Sequence, residues 1–170
     1  MKELAQKLSR SIIATDFSPR VLRRDRRLFQ FLGLADRVSL LAFDARRTPF
    51  KDGAVKTMTT NLGLANIEEP GKLLDELRRV IGGELSAIMF FFPDDDAVNR
   101  AAAEKLGISS FMFKDSTLRL FNEAGFNVEL KNIRKGRALP TPRGKLIEGA
   151  DIDALPVTQT DLEWCTLVAH

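Results

Sequence analysis

The stretch Phe43–Ile67, FDARRTPFKDGAVKTMTTNLGLANI, decides how the rest of the chain is read. An acidic residue, Asp44, follows directly on an apolar run, VSLLAF. A polar loop with Pro49 comes next, then Lys51-Asp52-Gly53 as a turn, then a second β-prone run, AVKTMTT, closed by Asn61 and Gly63. A carboxylate and an amide thus each stand just past the end of a strand. In open α/β sheets, nucleotide-like ligands settle at that edge, outside the carboxyl ends of the strands.

Upstream, residues 2–9 place Leu4, Ala5 and Leu8 on one helical face. The run SIIAT over 11–15 reads as a short buried strand ending at Asp16. Ser18 and Pro19 suit an N-cap and first turn. They open a helix to Leu32 with Val21, Leu22, Leu28, Phe29 and Leu32 inward and Gly33 as its stop. A strand over 37–43 leads into the deciding stretch, and 54–60 is the next strand.

Downstream, Pro70 starts a helix whose Leu73, Leu74, Leu77, Val80 and Ile81 form a core-facing stripe, with Gly82-Gly83 expected to end it. The run 85–92 is apolar enough for a strand buried on both faces. Asp94–Asp96 then lead into a helix carrying Ala97, Val98, Ala101, Ala102 and Leu106 on one side. A short helix over 116–124 ends at Gly125, and two strands, 126–134 and 161–168, are joined by a Pro/Gly-rich loop. Strand–helix alternation finishing in two adjacent strands argues an open α/β sheet with an antiparallel C-terminal pair.

Composition narrows the chemistry. At 170 residues with 44% hydrophobic and 29% charged residues, the chain suits one soluble domain with a sizeable core. No apolar run approaches the roughly 18 residues a membrane helix needs, and the N-terminal MKELAQKLSR lacks the apolar segment of a signal peptide. A cytoplasmic location without a membrane partner is expected. The single cysteine, Cys165, excludes an intrachain disulfide, and the only histidine, His170, is the last residue, so His-based triads and metal clusters have no basis. Tyrosine is absent, which removes Tyr-Lys oxidoreductase chemistry. A net charge of +3 does not imply nucleic acid, and Arg20, Arg23, Arg24, Arg26 and Arg27 read as the solvated face of their helix. Asp94-Asp95-Asp96 read as a helix cap rather than a Mg²⁺ site. Cys165 and most of the phenylalanines at 90–92 and 111–113 read as core, some of the second group being available to a substrate pocket.

Several segments together resemble the class I S-adenosylmethionine-dependent methyltransferases, most closely the small-molecule type 11. IIATDFSP is similar to the family's second strand, its acidic end and the Ser-Pro helix start. FLGLADRVSLLAFDARRTPF resembles the third-strand segment with its Asp-Ala pair and Pro-Phe. AVKTMTTNLGLANIEEPGKLLDELRRVIGG resembles the fourth strand, its loop and the following helix, and LFNEAGF the segment before the sixth strand. The resemblance implies one methyltransferase-like domain over 1–170, built on a Rossmann-like, mostly parallel sheet. It implies S-adenosylmethionine as cofactor and a small-molecule methyl acceptor. Asp16 would then accept from the ribose hydroxyls and Phe17 would pack beside adenine. Asp44 would accept from the adenine amino group, the N–H of Ala45 would face a ring nitrogen, and Asn61 would lie near the methyl donor. No residue is assigned as a catalytic base, and no metal is implied.

One part of the family pattern is missing. The GxGxG loop and the strand before it do not occur in these 170 residues. The chain is therefore expected to be N-terminally truncated, Met1 falling inside the helix after that loop. The missing strand is central in the family's sheet, so its two neighbours would expose edges or pair with each other. This leaves a second reading, a non-catalytic methyltransferase-like module that dimerises or binds a partner through that edge. A nucleotide-binding oxidoreductase of Rossmann type is a third, without a dinucleotide glycine fingerprint to support it.

Overall fold

A computed structural model describes residues 2–7, 12–145 and 154–170. The chain divides into two compact units, Met1–Pro49 and Phe50–His170.

The first unit contains helix α1 (Lys2–Lys7), strand β1 (Ile12–Asp16), helix α2 (Pro19–Phe31) and strand β2 (Val38–Ala42). β1 and β2 pair in parallel from Ile12↔Val38 to Asp16↔Ala42. Parallel neighbours cannot be joined by a tight turn, so α2 serves as the crossover. Its Phe29 packs with Ala14, Leu34 and Val38, and Ile12, Leu32 and Leu40 border that cluster. Gly33, at φ +66, ends α2 in the left-handed conformation that costs glycine little. β1 is less buried than its apolar sequence suggested: Ala14 is buried but Ile13 is 51% exposed. The cluster around Phe29 occupies one face of the strand, and alternate side chains point away from it. Position 11 and Leu8, and the side chains of Leu4 and Ala5, lie outside the described residues.

The second unit runs β3 (Val55–Asn61), α3 (Pro70–Val80), β4 (Ile81–Phe91), α4 (Ala97–Lys105), α5 (Lys114–Glu123), β5 (Val128–Ala138) and β6 (Thr160–Ala169). These strands form one sheet in the order β3-β4-β6-β5. β3 and β4 are parallel, whereas β6 is antiparallel to both β4 and β5. The open α/β arrangement with an antiparallel C-terminal pair is thus the observed one. Among the described residues β1 and β3 belong to separate sheets.

The apolar stripe of α3 is buried at Leu73, Leu74, Leu77 and Val80. Each such side chain contributes about 1.5–3 kcal/mol when fully removed from water. Gly82-Gly83 do not sit in a loop that stops this helix, as expected, but inside β4, which begins at Ile81 directly after α3. A Cβ on Gly82 would stand 2.5 Å from the carbonyl oxygen of Gly53, and one on Gly83 2.2 Å from that of Lys56. The glycines are there because two backbones nearly touch. β4 is not buried on both faces either. Leu85, Ala87, Met89 and Phe91 are buried, while Ile88 is 47% exposed. The phenylalanines 91, 92, 111 and 113 are core, as is Cys165, whose thiol burial pushes up to about 11.

α4 departs from its expected face in an instructive way. Val98 and Ala101 are exposed, and the fully buried residues are Ala103 and a polar one, Asn99. Asp96 caps the helix by accepting from the Asn99 N–H at 3.0 Å. The Asn99 Nδ2 donates to the second Asp96 oxygen at 2.7 Å, and its Oδ1 accepts from the Val157 N–H at 2.8 Å. Thr160 Oγ1 adds a 2.5 Å bond to the same carboxylate. Burial alone would raise the Asp96 pKa, but these hydrogen bonds outweigh it and hold the carboxyl below its ordinary 3.8. The network ties α4 to the segment entering β6. Replacing Asn99 by Ala leaves the Val157 N–H without its acceptor. It is expected to cost about 1–3 kcal/mol in urea unfolding, whereas Gln30→Ala on the exposed side of α2 leaves the midpoint unchanged.

Candidate functional site

The C-terminal edge of β1 and β2 brings two of the sequence-selected carboxylates to the same end of one small sheet. Asp16 is the last residue of β1 and is paired with Ala42. The Phe43 N–H donates to the Asp16 carbonyl at 3.3 Å, so the chain is still held to β1 one residue before Asp44. Asp44 therefore leaves β2 beside Asp16.

The two side chains are occupied differently. The Ser18 N–H donates to Asp16 Oδ1 at 2.7 Å, a two-residue loop that fixes the carboxylate at the entrance to α2. Ser18 stands at the N-cap position but, contrary to its expected role, makes no side-chain cap hydrogen bond. Asp16 Oδ2 accepts from none of the described residues. Phe17, between them, is 75% exposed.

Asp44 is held by Arg46. Its Oδ1 accepts from the Arg46 N–H at 2.9 Å and from Nε at 3.0 Å, and its Oδ2 accepts from Nη2 at 2.8 Å and from Nε at 3.2 Å. This fork-to-fork pairing fixes the carboxylate plane. The Arg46 side chain first, and its N–H second, keep the Asp44 carboxyl below its ordinary 3.8. A carboxylate oxygen offers about two acceptor directions, and Arg46 supplies two donors to each oxygen of Asp44, its Nε being shared between them. The Ala45 N–H donates to none of the described residues. A free acceptor on Asp16, an Arg46-held carboxylate at Asp44, a free N–H at Ala45 and an exposed ring at Phe17 thus belong to one strand edge. Arg46 was not singled out in the sequence. The signal was an arginine two residues after the acid, within reach of both oxygens.

Asn61 lies in the second unit, at the end of β3, exposed and paired in register with Ile88. Leu62 follows at φ +56, a left-handed conformation that is costly for a branched side chain, and its N–H is anchored on the Ile88 carbonyl at 3.0 Å. Strained residues of this kind concentrate at functional sites. Leu62, Ile88, Met89, Phe90 and Met112 line a small apolar recess of about 20 Å³ beside this turn.

The Arg46 pairing has a titration consequence. A carboxylate whose folded pKa is lowered adds stability above its unfolded value, near 3.8, and loses that contribution as pH falls through the folded value. Arg46→Ala is expected to raise the Asp44 carboxyl toward its ordinary 3.8 in an NMR titration of the side-chain carbons, the backbone N–H at 46 holding part of the lowering.

Comparison with known proteins bears on this geometry. The sequence profile described as "Methyltransferase domain", type 11, matches residues 1–85. A demethylmenaquinone methyltransferase of Clavibacter sepedonicus is 38% identical over 91 residues, which is 52% of this chain and 36% of that protein. The chain thus spans about a third of the length of the curated relative it matches. Among solved structures, the [4+2]-cyclase SpnF superposes with a TM-score of 0.68 at 15% identity, over 98% of this chain and 68% of that one. The geranyl diphosphate C-methyltransferase of Streptomyces coelicolor A3(2), solved with Mg²⁺, geranyl diphosphate and S-adenosyl-L-homocysteine, superposes with a TM-score of 0.68 at 14% identity, over 98% and 66%. At these identities the likeness carries the fold, and one fold hosts different reactions. The profile match covers half of the sequence and includes both strand-end carboxylates, and the chain belongs to the methyltransferase domain family.

Proposed function

We propose that this chain binds S-adenosylmethionine and takes part in methyl transfer to a small-molecule acceptor. The observation that carries this reading is the pair of unfilled polar groups on the β1–β2 edge, Asp16 Oδ2 and the Ala45 N–H, beside the Arg46-held carboxylate of Asp44. Their chemistry fits an adenosine. A carboxylate oxygen suits the vicinal ribose hydroxyls, a carboxylate beside an N–H suits the amino group and neighbouring ring nitrogen of adenine, and an exposed phenyl ring suits its face.

When bound, the cofactor supplies a methyl group on a sulfonium, already a strong electrophile. What remains for the protein is alignment and the exclusion of competing water. Asp16, fixed by the Ser18 N–H, anchors the ribose. Asp44, fixed by Arg46, and Ala45 orient the adenine, with Phe17 packed beside it. The family resemblance would put the Asn61 amide near the methionine half. The acceptor would bring its own nucleophile, whose lone pair would bond the methyl carbon as the carbon–sulfur bond breaks to leave a neutral thioether, its proton passing to solvent. No side chain is assigned as a base. The 170 residues act as a single methyltransferase-like domain in the cytoplasm, with a small molecule rather than nucleic acid as partner.

The reading is tested by calorimetric titration of the full chain with S-adenosylhomocysteine. Asp16→Ala removes a charge-assisted contact of about 1.5–3 kcal/mol, so affinity is expected to fall by about 10- to 100-fold, while Asp25→Ala leaves it unchanged. Equal affinity in Asp16→Ala overturns the ribose assignment. A wild-type chain that gives no heat overturns cofactor binding and favours a non-catalytic binding or dimerisation module.

A further inference from the structure

The outward face of α2 belongs wholly to the first unit and takes no part in the β1–β2 edge. The helix turns Leu22 and Phe29 inward. Arg20, Arg24, Arg27 and Phe31 recur every three or four residues on the opposite side, flanked by Arg23 and Leu28. All six side chains are exposed, Phe31 at 86% and Leu28 at 51%. From Arg20 to Phe31 the stripe runs about 16 Å along the helix.

The charge on this face is almost unmatched. Asp25 is the one acid between Pro19 and Phe31, and its carboxylate lies 3.9 Å from Arg24 Nε. Arg20, Arg23, Arg26 and Arg27 have no partner among the described residues. A solvated helix face ordinarily alternates signs. Here Arg20 stands one turn from Arg23 and Arg24, and Arg27 one turn from both, so like charges face each other along the stripe. Arg20 also lies in the first turn, at the positive end of the helix dipole, where no acid accompanies it. The arrangement works against the helix's own stability, and an anionic surface relieves it. Phe31 and Leu28 then decide between polyanions. Duplex phosphates offer no dry place for an outward phenyl ring, whereas a bilayer has hydrocarbon directly beneath its headgroup phosphates. Guanidinium groups pair with such phosphates two bonds at a time.

We propose that the outward face of α2 docks on a bilayer rich in anionic phospholipid. Arg20, Arg23, Arg24 and Arg27 meet the headgroup phosphates, and Phe31, with Leu28 beside it, enters the boundary between headgroups and acyl chains. The contact is made from one side, since a charged stripe with a single phenyl ring reaches no further than the interface.

The probes are phosphatidylcholine vesicles with and without about one-third phosphatidylglycerol, co-sedimented with the full chain. Binding is expected on the anionic vesicles and at least about 10-fold weaker on the neutral ones. It should be lost at about 1 M salt, where the Debye length falls to about 3 Å. Each arginine at an anionic surface is worth about fivefold, so Arg23→Gln with Arg27→Gln should lower affinity about 25-fold. Those replacements remove like-charge pairs, so the urea midpoint is expected to hold or rise. A midpoint that falls would assign the arginines to the fold and contradict the proposal. The same change of charge at exposed positions of the second unit, Lys105→Gln with Lys135→Gln, should leave binding within about twofold at about 0.1 M salt. Phe31→Ser should weaken binding about 10-fold, and Phe31→Trp should retain it. Equal binding to the two vesicle types, or unchanged affinity in the paired arginine variant or in Phe31→Ser, would overturn the proposal. So would a chain that binds random-sequence duplex DNA but neither vesicle, which makes the stripe a nucleic-acid contact.

Discussion

Two parallel strands ending level with one another set the terms for the candidate site. Because Asp16 is in register with Ala42, and the Phe43 N–H still reaches the Asp16 carbonyl, the next residue of the β2 exit brings a second carboxylate to the same edge. Parallel pairing requires a crossover, and α2 serves only if its apolar side packs on the strands through Phe29. A one-residue slip of β2 would move Asp44 along the edge and turn its neighbours to the opposite face. The core around Phe29 and Val38 is therefore what holds the acids together.

The second unit shows how the same economy works where backbones meet. β4 follows α3 without a loop, and its first residues pass so close to Gly53 and Lys56 that only glycine fits. At the far end of that strand the Asp96–Asn99 network joins the start of α4 to the return into β6. Both devices secure β4 at its two ends.

Much of this could be read from local sequence. An acid directly after an apolar run, as at Asp16 and Asp44, announces a strand end, and the Pro19 and Pro70 starts announce helices to within a residue. What could not be read was decided by distant partners. Gly82-Gly83 looks like a stop because nothing near them in sequence reveals the carbonyls of Gly53 and Lys56. Asn99 looks like a surface residue until Val157, 58 positions on, supplies its donor. Arg46 was within local reach of Asp44, but pairing rather than solvation of that arginine depends on the turn that follows β2.

The central claim is that the β1–β2 edge is half of a nucleoside clamp. A crystal structure of the chain with S-adenosylhomocysteine tests it most directly. The account predicts ribose hydroxyls within hydrogen-bond distance of Asp16 Oδ2 and the adenine ring against Phe17, with the Ala45 N–H and Asp44 Oδ2 on its polar edge. A nucleoside bound elsewhere, with Asp16 Oδ2 and the Ala45 N–H facing only water, would contradict it.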